Sequence, residues 1–320
     1  MKTGRHHLLH RKRGLTLLEL VVVIAILAVL STVALRSLTG VVSQARFEAT
    51  QRTLDQIYEA IVGAANDRQP DGTLVISGFI ADMGRPPRAQ LATNASGVFL
   101  TLNELLSPPV GALLFDVRPA TTAFVTNSSD ADSEVLVAGG WRGPYVRLPV
   151  GASGLSDGWG ANLANAVPLG SNFTFLGRSD NSPVAAGDFI SFVNSPGSDG
   201  VAGGTGYDQD LSINVATNDY TATLQVQASV VVGTNIATNA FVVIKVYGPG
   251  ANNDGRISVV KSPPLGSPFQ YTFLRMLTQG PRAVRAYYYI DGAFITNSTV
   301  TYLGIRPGWN SCQPLTINPP

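Results

Sequence analysis

The chain has 320 residues, of which 45% are hydrophobic and only 13% charged, with 33 Gly and 20 Pro. This composition is more typical of an extracellular β-rich protein than of a cytosolic enzyme. The formal net charge is +1, but the first 14 residues carry five basic residues and no acid. The rest of the chain is therefore mildly acidic, which argues against a nucleic-acid-binding protein, since that class needs a basic patch.

Cysteine and histidine usage excludes several kinds of catalytic site. Cys312 is the only cysteine, so no intramolecular disulfide can form. The three histidines, His6, His7 and His10, all lie in the basic N-terminal segment. Because no histidine follows, the body of the chain cannot hold a Ser-His-Asp or Cys-His site or a typical zinc site. We therefore expect a protein that is not an enzyme.

A long apolar run follows the basic segment. The segment ends at Arg11-Lys12-Arg13-Gly14, and an almost uninterrupted apolar stretch extends from Leu15 to Leu35. As a helix this stretch would be roughly 31 Å long, which matches the hydrocarbon thickness of a bilayer. The preceding positive charges favour a cytoplasmic N-terminus. The pattern predicts a single-pass inner-membrane protein, with the rest of the chain exported.

Glu19 lies inside the apolar run and distinguishes three interpretations. A cleaved secretory signal with a small-residue site near Ala28, Ser31 or Ala34 is one, and a plain signal anchor is another. Neither explains Glu19, because a carboxylate within a membrane span costs about 2.5 kcal/mol or more and is usually functional. The third interpretation gives Glu19 a role in assembly.

The segment Gly14-Leu15-Thr16-Leu17-Leu18-Glu19 resembles the class III prepilin signal. The resemblance implies cleavage between Gly14 and Leu15 by prepilin peptidase, followed by methylation of Leu15, although the family's usual residue there is phenylalanine. It also implies that Glu19 neutralises the terminal ammonium of a neighbouring subunit, which reduces the desolvation cost of both charges. The implied partners are prepilin peptidase, other copies and pilin-like subunits, an inner-membrane assembly platform and membrane lipid.

The predicted helix continues beyond the membrane segment and covers residues 15–66. Apolar residues recur at three- and four-residue spacing on one face, with charged residues on the other. The apolar face comprises Phe47, Leu54, Ile57, Tyr58, Ile61, Val62 and Ala65. A cluster of turn residues from 66 to 72, including Pro70, ends the helix.

Residues 67–217 contain motifs that resemble the head of the major pseudopilin of type II secretion. These are Gly143-Pro144-Tyr145, Asp157-Gly158-Trp159-Gly160, and the Gly/Asp-rich loop after the strand-like stretch 188–195. The family has a Gly-Pro-Tyr strand and proline in place of Gly158. We expect Trp141, Trp159 and Tyr145 to serve the core and turns.

In that family the Gly/Asp-rich loop binds calcium. The resemblance implies Asp199, Asp208 and Asp210 as carboxylate ligands, with help from Ser195. Calcium takes six to eight oxygen ligands in a flexible shell, which a glycine-rich loop can supply. The alternative is an ordinary solvated loop, since Gly, Ser and Asp also favour turns.

The last hundred residues show strand periodicity. Apolar and polar residues alternate from Thr221 to Val230. Further strands are predicted at 241–247, 256–261, 269–277, 283–290 and 293–302, and Asp291-Gly292 predicts a two-residue hairpin turn. Six strands at short spacing predict an antiparallel β-sandwich-like module over 218–320. Major pseudopilins normally lack such an addition.

The predicted fold class is therefore α+β. A leader (1–14) precedes a long transmembrane and amphipathic helix (15–66, transmembrane 15–35), which packs on an antiparallel pilin-like head (67–217) and is followed by the C-terminal module. The predicted function is that of a structural subunit of a type II secretion pseudopilus or type IV pilus-like filament. The alternative is a minor pilin whose C-terminal module is an adhesin or a cargo-binding domain.

Overall fold

The computed structural model describes most of the chain after residue 16. The described residues are 17–64, 68, 70–72, 75–94, 97–120, 134–148, 150, 156–160, 174–177, 184–201, 203–231, 239–249, 256–261 and 270–320. In these residues the chain has one long helix followed by small antiparallel sheets and a β-rich C-terminal region. The predicted α+β class is confirmed.

Helix α1 spans Leu17–Val62. It ends four residues before the predicted boundary, because the next residue, Gly63, has a φ of 96°, which is not a helical angle. Glycine tolerates this φ, whereas an L side chain would be strained. A Cβ at position 63 would also overlap the Ser77 carbonyl group. Within the described residues, no helix is both long enough and apolar enough to cross a membrane.

The C-terminal half of α1 contributes to the core of the head. Leu54, Ile57 and Ile61 are at most 2% exposed, and Tyr58 and Val62 pack at the edge of the same cluster. The predicted apolar face is therefore confirmed where it is described, and Ala65 lies outside the described residues.

The head contains short elements around this helix. They are α2 (Phe79–Met83), β1 (Gln90–Asn94), β2 (Gly97–Thr101), β3 (Asp116–Pro119), β4 (Leu136–Gly139), β5 (Thr174–Gly177), β6 (Ile190–Ser195), β7 (Leu211–Asn214) and α3 (Thr217–Tyr220). The strands described here pair as β1–β2, β3–β4 and β5–β6–β7, all antiparallel. The resemblance implied a strand at Gly143-Pro144-Tyr145, and this was wrong, because residues 142–145 have no regular structure and only Trp141 forms a bridge, to Leu114.

The C-terminal region forms two sheets with a core of their own. The strands are β8 (Thr221–Val230), β9 (Ala240–Gly248), β10 (Arg256–Lys261), β11 (Gln270–Thr278), β12 (Gly280–Ile290), β13 (Ala293–Asn297), β14 (Thr301–Ile305), β15 (Gly308–Ser311) and β16 (Leu315–Ile317). One sheet has the order β10–β9–β12–β13 with β14 also on β12, and the other has β11–β8–β15 with β16 also on β8. Residues between Ala222 and Ile317 fill one apolar cluster.

The strand predictions hold with two corrections. The alternation in β8 is confirmed, because its five predicted apolar residues are at most 5% exposed. The Asp291-Gly292 turn is confirmed, with φ 49° and 83°. The single strand predicted over 293–302 was wrong, because residues 298–300 separate β13 from β14. In this break the buried Ser298 hydroxyl accepts a hydrogen bond from the backbone N–H of Ala286. Strands β15 and β16 were not predicted and pair parallel with β8.

The C-terminal sheets also contact the head. A small cluster joins Ala120 and Val135 of the head to Tyr247 and Ala283. The Gln279 side chain donates a hydrogen bond to the carbonyl oxygen of Val62, the last residue of α1. The head cluster includes Tyr220 and the C-terminal cluster begins at Ala222. The domain boundary at residue 218 and independent folding of residues 218–320 stay predictions.

Candidate functional site

The predicted processing and assembly residues lie at the start of the chain. Gly14 and Leu15 are outside the described residues. Glu19 is in the first turn of α1. The large apolar side chains from Leu17 to Leu30 are 46–81% exposed. From Leu17 to Leu30, α1 thus presents apolar side chains around its whole circumference, with the Glu19 carboxylate among them.

The Asp157–Gly160 turn docks on the middle of α1. The backbone N–H of Gly158 donates a hydrogen bond of 2.8 Å to Thr50 Oγ1. Thr50 is completely buried, and its hydroxyl donates to the Arg46 carbonyl oxygen. A Cβ at Gly158 would overlap that carbonyl oxygen and lie 2.7 Å from its carbon. Proline would not fit at this position, because it has no N–H to donate to Thr50 and its ring would overlap Arg46.

Two aromatic side chains extend this contact towards the N-terminal end of α1. Trp159 and Tyr207 each pack edge-on against Phe47, with ring centroids 6.2 Å apart in both pairs. The Tyr207 hydroxyl donates to Gln44 Oε1 at 3.2 Å. We call the contacts of Gly158, Trp159 and Tyr207 with α1 the helix clamp. Trp159 is 7% exposed, so its predicted core role is confirmed.

Asp157 connects the Gly158 turn to the end of β6. One carboxylate oxygen accepts the backbone N–H of Trp159 at 3.1 Å, and the other accepts the Ser195 hydroxyl at 2.7 Å. Ser195 is completely buried at the end of β6. Its hydroxyl therefore holds the Asp157 turn, a role that the sequence did not indicate.

The three predicted calcium ligands bond within their own loop. Asp199 accepts the N–H of Val201, and Asp208 pairs with the Ser198 hydroxyl. Asp210 accepts the N–H of Gly203 and the Asn194 side-chain amide. Within the described part of the chain, no three His, Cys, Asp or Glu residues form a group that could hold a metal ion. The calcium ligands are thus not gathered in this arrangement, and calcium binding stays a prediction.

A buried ion pair lies behind β1, in a segment from which the sequence predicted no site. The Arg85 guanidinium donates to both oxygens of Glu104, at 2.6 and 3.0 Å. The same carboxylate accepts the N–H of Arg88 at 2.9 Å and the Gln90 amide at 3.4 Å. A signal was available in the sequence, since Arg85-Pro86-Pro87-Arg88 places two cations around a rigid turn.

A second buried carboxylate has a shifted pKa. Asp82, in α2, is 1% exposed, lies 3.0 Å from the Arg142 guanidinium and accepts the Tyr145 hydroxyl at 3.1 Å. Burial raises the pKa of Asp82 to about 6, although Arg142 and Tyr145 both act to lower it. Burial and the neighbouring Asp82 also raise the pKa of the Tyr145 phenol. This carboxylate therefore titrates near neutral pH.

Comparisons with known proteins identify the N-terminus. Residues 9–35 match the family model described as the prokaryotic N-terminal methylation motif. The predicted prepilin-type signal is therefore confirmed. No curated protein matches the chain.

One solved structure is similar to part of the chain. It is that of an alternative pilotin from the type II secretion system of Vibrio cholerae, at 11% identity. The match covers 31% of this chain and 96% of the pilotin, with a TM-score of 0.22. A TM-score this low does not indicate a common fold.

Proposed function

We propose that this protein is a structural subunit of a type II secretion pseudopilus or a type IV pilus-like filament. The observation that carries the proposal is the methylation motif at residues 9–35, placed at the start of a 46-residue helix. Prepilin peptidase removes the leader after Gly14 and methylates Leu15. The processed chain then assembles with other copies and with related subunits on an inner-membrane platform.

The exposure pattern along α1 supports this assembly route. Eleven large apolar side chains between Leu17 and Leu30 are exposed, whereas Leu54, Ile57 and Ile61 are buried in the head. Burying each large apolar side chain is favourable by about 1.5–3 kcal/mol. The first half of the helix therefore gains most from lipid before assembly and from neighbouring helices afterwards. The head and the C-terminal module lie on the periplasmic or extracellular side.

The first experiment measures processing in native membranes. The N-terminal peptide should begin at Leu15 with one additional methyl group, as determined by mass spectrometry. An intact leader, or a chain that begins near Ser31 or Ala34, would refute the proposal. Gly14→Leu should block cleavage and serves as the matched negative control.

The second experiment tests Glu19. Glu19→Ala should leave membrane insertion intact and reduce filament yield at least about tenfold in competition with the wild type, because the neighbouring ammonium then loses its buried partner. Glu48→Ala is the control, since Glu48 is an exposed acid on the same helix, paired with Arg52. Equal filament yields for Glu19→Ala and Glu48→Ala would contradict the role of Glu19.

A second candidate function is supported by the outer face of the C-terminal sandwich. Met276 of β11 and Trp309 of β15 lie on either side of Thr223 of β8 and are 70% and 64% exposed. Leu274, 56% exposed, lies opposite Gln225 in the next outward row. An exposed apolar row on a sheet is a candidate contact surface. A minor pilin would use it to bind cargo or a host surface.

The two candidate functions predict different results for this surface. Replacing Met276 and Trp309 together by Gln should leave filament yield unchanged and lower secretion or adhesion if the surface binds cargo or a host. Gln227→Ala, on the same face of β8, is the control. A lower filament yield would instead place this surface between subunits, and normal yield with normal secretion and adhesion would exclude it from function.

A further inference from the structure

A cavity in the head lies beside the buried ion pair. It has a volume of about 510 Å³ and opens between the start of β1, the loop at 109–112 and the turn at 186–187. Its polar lining consists of Arg85, Arg88, Gln90 and Glu104. Leu91 and Val110, both largely exposed, form an apolar rim. We call this the basic cavity, and its volume is in the range of small-molecule sites.

Glu104 is already saturated by its neighbours. Its two oxygens accept hydrogen bonds from Arg85, from the Arg88 backbone and from Gln90. The Arg85 and Glu104 side chains are 6% and 3% exposed, so their charges neutralise each other inside the protein. The remaining charge of the basic cavity is therefore that of the Arg88 guanidinium.

Arg88 has no anionic partner among the described residues. Its guanidinium lies over the Phe189 ring, 5.2 Å from the centroid, and its Nε is buried without a hydrogen-bond partner there. A β-bridge between Arg88 and Phe189 holds the backbone of both residues in place. A buried donor without a partner costs free energy, and a partly buried cation is favoured when an anion pairs with it.

We propose that the basic cavity binds the carboxylate of a small organic acid or of a peptide C-terminus with an apolar body. A guanidinium presents a planar fork of donors that matches a carboxylate in a two-point contact. Arg88 supplies that fork, and the apolar body lies against Leu91 and Val110 at the rim. This site is separate from the helix clamp and does not depend on filament assembly.

The test uses the full-length processed chain in a neutral detergent and two matched probes. N-acetylleucine carries the carboxylate and a branched apolar side chain, whereas N-acetylleucinamide has the same shape without the charge. Calorimetric titration should show binding of the acid, and binding of the amide at least about tenfold weaker, since a charged hydrogen bond is lost. Equal affinity for both probes would overturn the proposal, as would no measurable binding of the acid.

Three variants localise the binding. Arg88→Gln should weaken binding of N-acetylleucine about tenfold or more, and Arg52→Gln, at an exposed arginine on α1, should leave it unchanged. Ala186→Trp should block the exposed rim and abolish binding without altering either cavity arginine. This variant tests the site even if Arg88→Gln is unstable. Wild-type affinity in Arg88→Gln or in Ala186→Trp would refute the site. Competition by equimolar inorganic phosphate would refute the carboxylate assignment.

Discussion

Replacement of Asp82 by Asn should change how the stability of the head depends on pH. The folded-state pKa of Asp82 is about 6, above the ordinary aspartate pKa of 3.8. Between these values the folded chain binds more protons at this site than the unfolded chain. The contribution of Asp82 to stability is therefore fully present below about pH 4 and is lost as pH rises through 6.

The magnitude follows from the shift of about two pKa units. Each unit corresponds to about 1.4 kcal/mol, so ionising Asp82 should cost the wild type about 3 kcal/mol of unfolding free energy between pH 4 and pH 7. Asp82→Asn cannot ionise, and its amide can still accept the Tyr145 hydroxyl. Arg142 tolerates the loss of its partner because its side chain is 47% exposed. The variant should therefore gain stability relative to the wild type as pH rises.

The assay is guanidinium unfolding of the full-length chain in detergent at several pH values from 4 to 7. Trp309 is replaced by Phe in both proteins, so that tryptophan fluorescence comes from Trp141 and Trp159 of the head, where Trp141 packs edge-on against Tyr145. The quantity of interest is the difference in unfolding free energy between variant and wild type, because the other carboxylates cancel in it. Asp116→Asn, at an exposed acid on β3, is the control. If Asp82→Asn follows the wild type in parallel across this range, Asp82 does not titrate as inferred.

Two further predictions concern the helix clamp and the acidic loop. Gly158→Pro should lower the unfolding free energy by about 1–3 kcal/mol through overlap with Arg46. The control Gly40→Ala, whose added Cβ meets no neighbour, should not destabilise the protein. If Gly158→Pro is as stable as the wild type, the turn does not hold α1. Calcium at a hundredfold excess over its dissociation constant should stabilise the wild type by about 2.7 kcal/mol, and Asp199→Ala and Asp210→Ala should abolish this gain. Equal melting temperatures in calcium and in chelator would show an ordinary surface loop.

The sequence predicted those features that depend on local periodicity. The buried face of α1, the alternation in β8 and the Asp291-Gly292 turn are all confirmed. Each is encoded within a few turns or residues, because side-chain direction repeats every 3.6 residues in a helix and every two in a strand. The prepilin-type signal is equally local, since its glycine, glutamate and apolar run lie in one short segment.

The missed features depend on contacts between distant residues. Thr50 and Gly158 are 108 positions apart, and nothing near either residue indicates that they meet. The parallel strands β15 and β16 contain too few residues to show a period. For the buried ion pair, the Arg85-Pro86-Pro87-Arg88 turn indicates the two cations, but their carboxylate partner Glu104 lies 19 positions from Arg85 and is not indicated by any local pattern. Such contacts depend on tertiary structure, which cannot be predicted from the local residue pattern of a single sequence.

The contacts on α1 bear on how a filament subunit would transmit load. Besides its packing in the head core, the helix forms hydrogen bonds with the Gly158 turn, the Tyr207 loop and Gln279 of the C-terminal sheets, at sequence separations of 108, 163 and 217 residues. Because these segments come from both the head and the C-terminal region, a pull on the apolar half of α1 is shared between them. Loosening the Gly158 turn should therefore weaken the coupling of helix to head and leave the two apolar cores intact.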